Sequence, residues 1–102
     1  MSQNLFELPK PRGGEIIETL VERGAARVEK ISSFGCASPK NFWYDQPESE
    51  WVCLLKGGAE ILFEGDSSPK PLREGDWLFI EPRRRHRVEK TSADCVWLAF
   101  FF

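Results

Sequence analysis

The stretch that decides the fold lies between residues 43 and 57 and reads Trp43-Tyr44-Asp45-Gln46-Pro47-Glu48-Ser49-Glu50-Trp51-Val52-Cys53-Leu54-Leu55-Lys56-Gly57. It begins with polar and aromatic side chains. It then places the Glu50 carboxylate at the head of an apolar strand that ends at Gly57, with six residues between the two. A second polar stretch, residues 75–86, contains the only histidine of the chain, His86. The two stretches predict two halves of one site inside a small β-barrel.

The composition limits what kind of protein this can be. A chain of 102 residues has room for one domain with one core. A formal charge of −2 argues against a nucleic-acid or membrane-surface partner, since both favour basic surfaces. No run approaches the ~18 apolar residues of a transmembrane helix, and Met1–Asn4 opens no signal peptide. We therefore expect a cytoplasmic protein without nucleic-acid or membrane partners.

Short apolar runs separated by turn residues predict an all-β protein. The clearest expected hairpin joins Trp51–Lys56 to Ala59–Glu64 through Gly57 and Gly58. The other expected strands are Ile16–Leu20, Ala26–Ile31, Lys70–Arg73, Trp77–Ile80, His86–Thr91 and Cys95–Phe101. Together these runs predict a single-domain antiparallel β-barrel or jelly roll over residues 15–102. Residues 1–14, rich in Pro and Gly, predict an extended N-terminal arm.

Strand parity predicts an apolar outer wall. If Glu50 points into the barrel, Val52 and Leu54 do so too, and the residues between them face outward. Those outward residues are Trp51, Cys53 and Leu55, so this strand is apolar on both faces. The last strand has the same character. The N-terminal arm could cover part of this wall, and a two-fold partner could cover it as well, so we expect a homodimer.

The spacing of these residues resembles the cupin superfamily over roughly residues 40–100. The first cupin motif has the general form Gly, five residues, His-x-His, three or four residues, Glu, six residues, Gly; Glu50 and Gly57 match its last two positions. The second has the form Gly, five residues, Pro, one residue, Gly, two residues, His; Gly75 and His86 match its ends. The flanking runs look like those of small bacterial single-domain cupins without a settled activity. The resemblance implies a cupin-type barrel with its site in the cavity.

The chain departs from the family where the metal ligands should be. Counting back from Glu50, the two histidines of the first motif fall on Tyr44 and Gln46. The three-His, one-Glu cage that the resemblance implies becomes Tyr44, Gln46, Glu50 and His86. Transition metals favour imidazole nitrogen, and a neutral amide is a poor replacement. We therefore expect no cofactor; a divalent metal, if bound, would be held by Glu50, His86 and Gln46.

Four residues are the main candidates for the site, each with a plain alternative. Glu50 is a general base or weak metal ligand if buried, and a solvated strand-end residue if not. His86 is an acid/base group or a structural histidine. Tyr44 and Gln46 share one parity, so both should face the cavity as ligand-binding groups or as a satisfied buried polar pair.

Two further candidates lie beside the motifs. The run Arg83–Arg87 is either a solvated loop paired with nearby carboxylates, or it places Arg83 over the barrel mouth to hold a carboxylate or phosphate. Trp43 adjoins the site and is the tryptophan most suited to contact a ligand.

Two classes of function follow from these residues. One is a binding module whose cavity holds a small polar or anionic metabolite. The other is an isomerase- or lyase-type enzyme in which Glu50 and His86 exchange protons with a carbonyl or sugar-like substrate. Metal-dependent cupin chemistry with a non-standard ligand set is a third possibility, weakened by the missing histidines.

Overall fold

The computed structural model describes residues 4–102, and within that range it contains eight β-strands and no helix. The strands are β1 Ile16–Arg23, β2 Ala26–Ser32, β3 Glu50–Lys56, β4 Gly58–Phe63, β5 Lys70–Arg73, β6 Trp77–Ile80, β7 His86–Thr91 and β8 Val96–Phe101. Every paired strand is antiparallel. The expected all-β jelly-roll fold is confirmed. None of the described residues forms a helix that could cross a membrane.

Two sheets enclose the core. One has five strands in the order β1-β2-β8-β3-β6, and the other has three in the order β5-β4-β7. Their inner faces bury Leu54, Ile61, Ile80, Trp97 and Phe101. Along β3 the burial alternates as parity predicts: Glu50, Val52 and Leu54 are buried, and the residues between them are only partly covered. This alternation carries the Glu50 carboxylate into the barrel.

The expected hairpin between β3 and β4 is wrong. The two strands do not pair: β3 lies between β8 and β6 in the larger sheet, while β4 lies between β5 and β7 in the smaller one. Gly57 adopts a φ of 82°, which lets the chain turn a corner and cross from one sheet to the other. Apolar residues on both faces of β3 fit a buried corner as well as a hairpin, so the pattern could not distinguish the two.

The larger sheet has an apolar outer face. Cross-strand pairing aligns one residue from each of its five strands in a continuous row, namely Val21, Val28, Phe100, Trp51 and Phe79. On the same face, Lys30 of β2 is buried and donates hydrogen bonds from Nζ to the main-chain oxygens of Asn4 and Glu7. Part of the predicted arm therefore reaches this face. Residues 4–14 contain no strand, and residues 1–3 lie outside the described residues.

Candidate functional site

A cavity of about 260 Å³ lies between the two sheets. Tyr44, Gln46, Glu50 and His86 all line it, as do apolar side chains from both sheets. Three charged residues that the sequence analysis did not select, Glu15, Arg27 and Glu29, complete its polar wall. The structure therefore brings the four main candidates together in one cavity.

Glu50 is the central carboxylate of the cavity. The residue is only 8% exposed, at the head of β3. Its Oε1 accepts a hydrogen bond of 2.8 Å from Gln46 Nε2, and the same oxygen lies 3.6 Å from His86 Nε2. Burying a carboxylate is costly unless polar groups replace its water. Gln46 provides one such group, and the burial of Glu50 excludes the solvated strand-end alternative.

His86 presents one defined nitrogen to Glu50. Its Nδ1 lies 2.8 Å from the main-chain oxygen of Arg84. A carbonyl oxygen can only accept, so Nδ1 carries a proton and Nε2 is the nitrogen left facing the carboxylate. At 3.6 Å this pair is too far apart for a direct hydrogen bond, which leaves Nε2 available to a ligand atom.

Tyr44 is fixed against His86 by both backbone and ring. The two residues form an isolated β-bridge, with hydrogen bonds of 2.7 Å from the Tyr44 amide and 3.2 Å from the His86 amide. Their rings stack with centroids 5.4 Å apart. Burial raises the pKa of the Tyr44 phenol, and the negative charges of Glu15 and Glu50 raise it further. The hydroxyl therefore stays protonated near neutral pH and can donate to a ligand.

Arg27 brings a cation to the cavity wall. It pairs in register with Phe101 of β8, which in turn pairs with Glu50 of β3. This places Arg27 on the same face as Glu50, about 10 Å away across two strand spacings. Its Nε lies 2.9 Å from Glu29 Oε2, and its Nη1 lies 2.8 Å from Glu48 Oε2. The guanidinium also stacks over the Phe101 ring at 4.1 Å.

These ionic contacts shift the pKa values of their members. The hydrogen bonds that Arg27 donates to Glu48 and then to Glu29 raise the pKa of Arg27, and the bond that Glu48 accepts from Arg27 lowers the pKa of Glu48. The pKa of Glu15 is raised, first by desolvation and then by the charge of Glu29. The shared parity of Arg27, Glu29 and Ile31 was readable in the sequence. The sequence did not show which side of the sheet these residues face, because β2 carries no motif.

Two predicted site residues lie elsewhere. Arg83 was expected over the barrel mouth but is not part of the cavity wall. Its side chain is 66% exposed, and its Nη1 lies 3.4 Å from Asp45 Oδ1. The backbone explains this: Arg83 has a φ of 63° in a turn, and its amide donates to the Gln46 carbonyl. Trp43 is also outside the wall, where its ring faces the guanidinium groups of Arg85 and Arg87.

The donor set does not fit a tightly bound transition metal. Among residues 4–102, no group of three or more His, Cys, Asp and Glu side chains is arranged to hold one. The expected alternative ligands reduce to one carboxylate, one imidazole and an amide that is already hydrogen-bonded to that carboxylate. Such a set lacks the additional imidazole nitrogens that these metals prefer.

The chain is similar to several known proteins. No family model matches the chain. The crystal structure of a provisionally named mannose-6-phosphate isomerase from Ralstonia eutropha JMP134 is similar, with a TM-score of 0.92 and 43% identity over 99% of this chain and 96% of that one. An uncharacterized protein of Aquifex aeolicus (strain VF5) is 30% identical over 97% of this chain and 81% of its own length.

A cupin superfamily protein from Desulfitobacterium hafniense DCB-2 shares the fold, with a TM-score of 0.77 and 14% identity over 93% of this chain and 83% of that one. The strand order, the cavity and these likenesses agree with the Glu50–Gly57 and Gly75–His86 spacings. The chain belongs to the same family as the Ralstonia protein and has the fold of the cupin superfamily.

Proposed function

We propose that the barrel cavity binds a small polar metabolite. One observation carries this proposal: a buried carboxylate, Glu50, accepts from Gln46 and faces His86 Nε2 inside a cavity of about 260 Å³. A cavity of this size lies at the lower limit for small-molecule sites. A ligand there would meet the Tyr44 hydroxyl as donor, the Gln46 amide, the Glu50 carboxylate as acceptor and the free nitrogen of His86.

The same geometry supports an enzyme as a second candidate. Glu50 and His86 Nε2 lie 3.6 Å apart in a buried setting, so a bound carbonyl or sugar-like substrate could contact both groups. One group would remove a proton and the other would return it, as in an isomerase or lyase. The Ralstonia relative, 43% identical, is named for an isomerase, which favours this reaction class. A metal-dependent reaction has no comparable support from the donor set.

Two variants of the purified protein test the binding proposal. We expect D-mannose, a small neutral polyol, to shift the NMR signals of the Gln46 side-chain amide and the Trp97 indole. Glu50→Gln and His86→Ala should each weaken this effect by about ten-fold, since each loses a hydrogen-bonding group in the cavity. Asp66→Asn, which removes an exposed carboxylate in the turn between β4 and β5, is the matched control and should bind like the native chain. Equal binding by all four proteins would remove Glu50 and His86 from the site.

Solvent exchange separates the enzyme from the binding module. In heavy water, an isomerase should place deuterium on the carbon next to the carbonyl of D-mannose, and this should be lost in Glu50→Gln and in His86→Ala. The binding module should show no exchange. Elemental analysis of the same preparations checks the metal: stoichiometric metal in the native chain, lost from both variants, would restore the metal-dependent alternative.

A further inference from the structure

The charged groups around the cavity are mostly acidic. Glu15, Glu29 and Glu50 line it, and Arg27 is the guanidinium among them. The positive charge of Arg27 is already balanced by ion pairs, because Glu29 and Glu48 both contact the guanidinium within 2.9 Å. An anionic ligand would have to displace one of these carboxylates and remain close to the others. The wall therefore repels anions more than it attracts them.

We propose that the cavity accepts a ligand with a cationic, ammonium-type group on a small apolar body. This inference rests on the proposed binding function and names its ligand class. It also predicts that a phosphorylated sugar, the substrate in the name of the Ralstonia relative, is a poor ligand for this chain.

Glu50 is the expected anchor for the cation. Its side chain is about nine-tenths buried, and Gln46 is its one hydrogen-bond partner within residues 4–102. A carboxylate has about four acceptor positions, so most of its capacity remains for a ligand. No Lys or Arg of the described chain forms an ion pair with it, and the basic group nearest to it is His86, whose Nε2 lies 3.6 Å from Oε1, beyond direct hydrogen-bond distance. A ligand ammonium group would supply a charge-assisted hydrogen bond in a site shielded from water.

The rest of the wall suits both parts of such a ligand. Tyr44, Trp97 and Phe101 line the cavity, and aromatic faces attract cations; one face of Phe101 already carries the Arg27 guanidinium, and one face of Tyr44 stacks on His86. Ile61 and Val88 provide apolar surface for the body of the ligand. The raised pKa of Tyr44 agrees with this picture, since the negative charges of Glu15 and Glu50 both act at the phenol.

Three probes of equal chain length and different charge test the inference on the full chain. Butylammonium, butan-1-ol and butanoate carry charges of +1, 0 and −1 at pH 7 on similar apolar bodies. Binding is measured from NMR shifts of the Gln46 side-chain amide and the Trp97 indole. We expect the dissociation constant of butylammonium to be at least about ten-fold lower than that of butanoate, and to rise with ionic strength.

Glu15→Gln isolates the charge contribution without disturbing the core. Glu15 is exposed and forms no ion pair with another described residue, so the variant should fold normally. The variant should weaken the binding of butylammonium about three-fold and leave the binding of butan-1-ol unchanged. The effect is small because residue 15 is exposed to solvent. Asp66→Asn, which removes an exposed carboxylate that does not line the cavity, in the turn between β4 and β5, should change neither.

The outcomes separate this inference from the proposed function. Butanoate binding as tightly as butylammonium, or more tightly, would overturn the cationic ligand class and leave the cavity as a binding site. If no probe of any charge shifted the cavity signals, both the ligand class and the proposed binding of small molecules would fail.

Discussion

Gly57 shows how a single residue can fix both a motif position and a corner of the fold. Its φ of 82° lies in the left-handed region, which side chains with a Cβ rarely adopt. An added Cβ would lie 2.1 Å from Ser92 Oγ and 3.2 Å from the Cys95 Cα. The amide of the next residue, Gly58, donates to the same Ser92 Oγ. Both the backbone conformation and the close packing require glycine at this position.

Gly57→Ala should destabilise the protein more than a glycine substitution with backbone strain alone. We expect it to lower the free energy of unfolding by about 2–3 kcal/mol, because strain adds to the steric conflict with Ser92. Gly75→Ala is the matched control, since Gly75 has a φ of 91° but no atom within 4 Å of an added Cβ. That variant should lose about 1 kcal/mol. Urea unfolding measures both, and equal losses would show that the close approach to Ser92 carries no energy.

At the scale of the element, β3 and β2 differ in how much their sequences reveal. The alternation of β3 predicts that Glu50, Val52 and Leu54 face inward, and the structure confirms it. The alternation of β2 is equally regular, yet its cavity residues, Arg27 and Glu29, were missed. A charged pair at spacing two is typical of an exposed strand face, and only the pairing with β8 turns this face inward. Long-range pairing of this kind leaves no local pattern in the sequence.

The Arg27–Glu48 pair, which ties β2 to the segment before β3, should make stability depend on acidity. Because the pKa of Glu48 is lowered in the folded protein, its ionised form stabilises the fold above its ordinary value of 4.5. That contribution is lost as the pH falls through the lower, folded-state pKa. Solvent screening keeps it below about 1 kcal/mol. Glu48→Gln should therefore be less stable than the native chain at pH 7 and match it near pH 2.

Urea unfolding at both pH values tests this dependence. Asp66→Asn, which removes an exposed carboxylate from the turn between β4 and β5, serves as the control and should show no difference from the native chain at pH 7. A Glu48→Gln deficit that persisted unchanged at low pH would mean that packing, not the ion pair, stabilises this contact.

At the scale of the whole molecule, the outer face of the larger sheet is the most unusual surface. Four aromatic side chains on or beside it are 40–58% exposed: Trp77, Phe79, Phe100 and Phe102. They contact one another or their neighbours, with ring centroids of Phe100 and Phe102 5.2 Å apart and those of Trp51 and Trp77 6.0 Å apart. A contiguous apolar patch of this kind is rare on a monomer. Strand parity predicted this face, and the buried Lys30 marks where the arm reaches it.

We expect a second copy of the chain to cover this face, since a two-fold axis brings one apolar patch onto its equivalent. Light scattering after size exclusion should give twice the mass of one chain. Phe79→Lys should reduce the measured mass to that of one chain, because burying a lysine without a partner in the dimer interface is costly. Phe42→Lys replaces an exposed aromatic residue beside Tyr44 and should leave the dimer intact. A native chain of single mass at every concentration would refute the dimer.

The bridge between Tyr44 and His86 has a consequence for how the cavity is reached. The segment from residue 33 to residue 49 contains this bridge but no strand. Eight main-chain hydrogen bonds and several from side chains attach it to the rest of the described chain, among them the Ser38 amide to Val88 and the reciprocal pair of Ser49 and Phe102, but it joins neither sheet as a strand. Such a segment can open locally at a lower free energy than global unfolding. Solute exchange with the interior would then proceed while both sheets stay intact, and a bound ligand would slow amide hydrogen exchange at Tyr44 before it slowed exchange in β3.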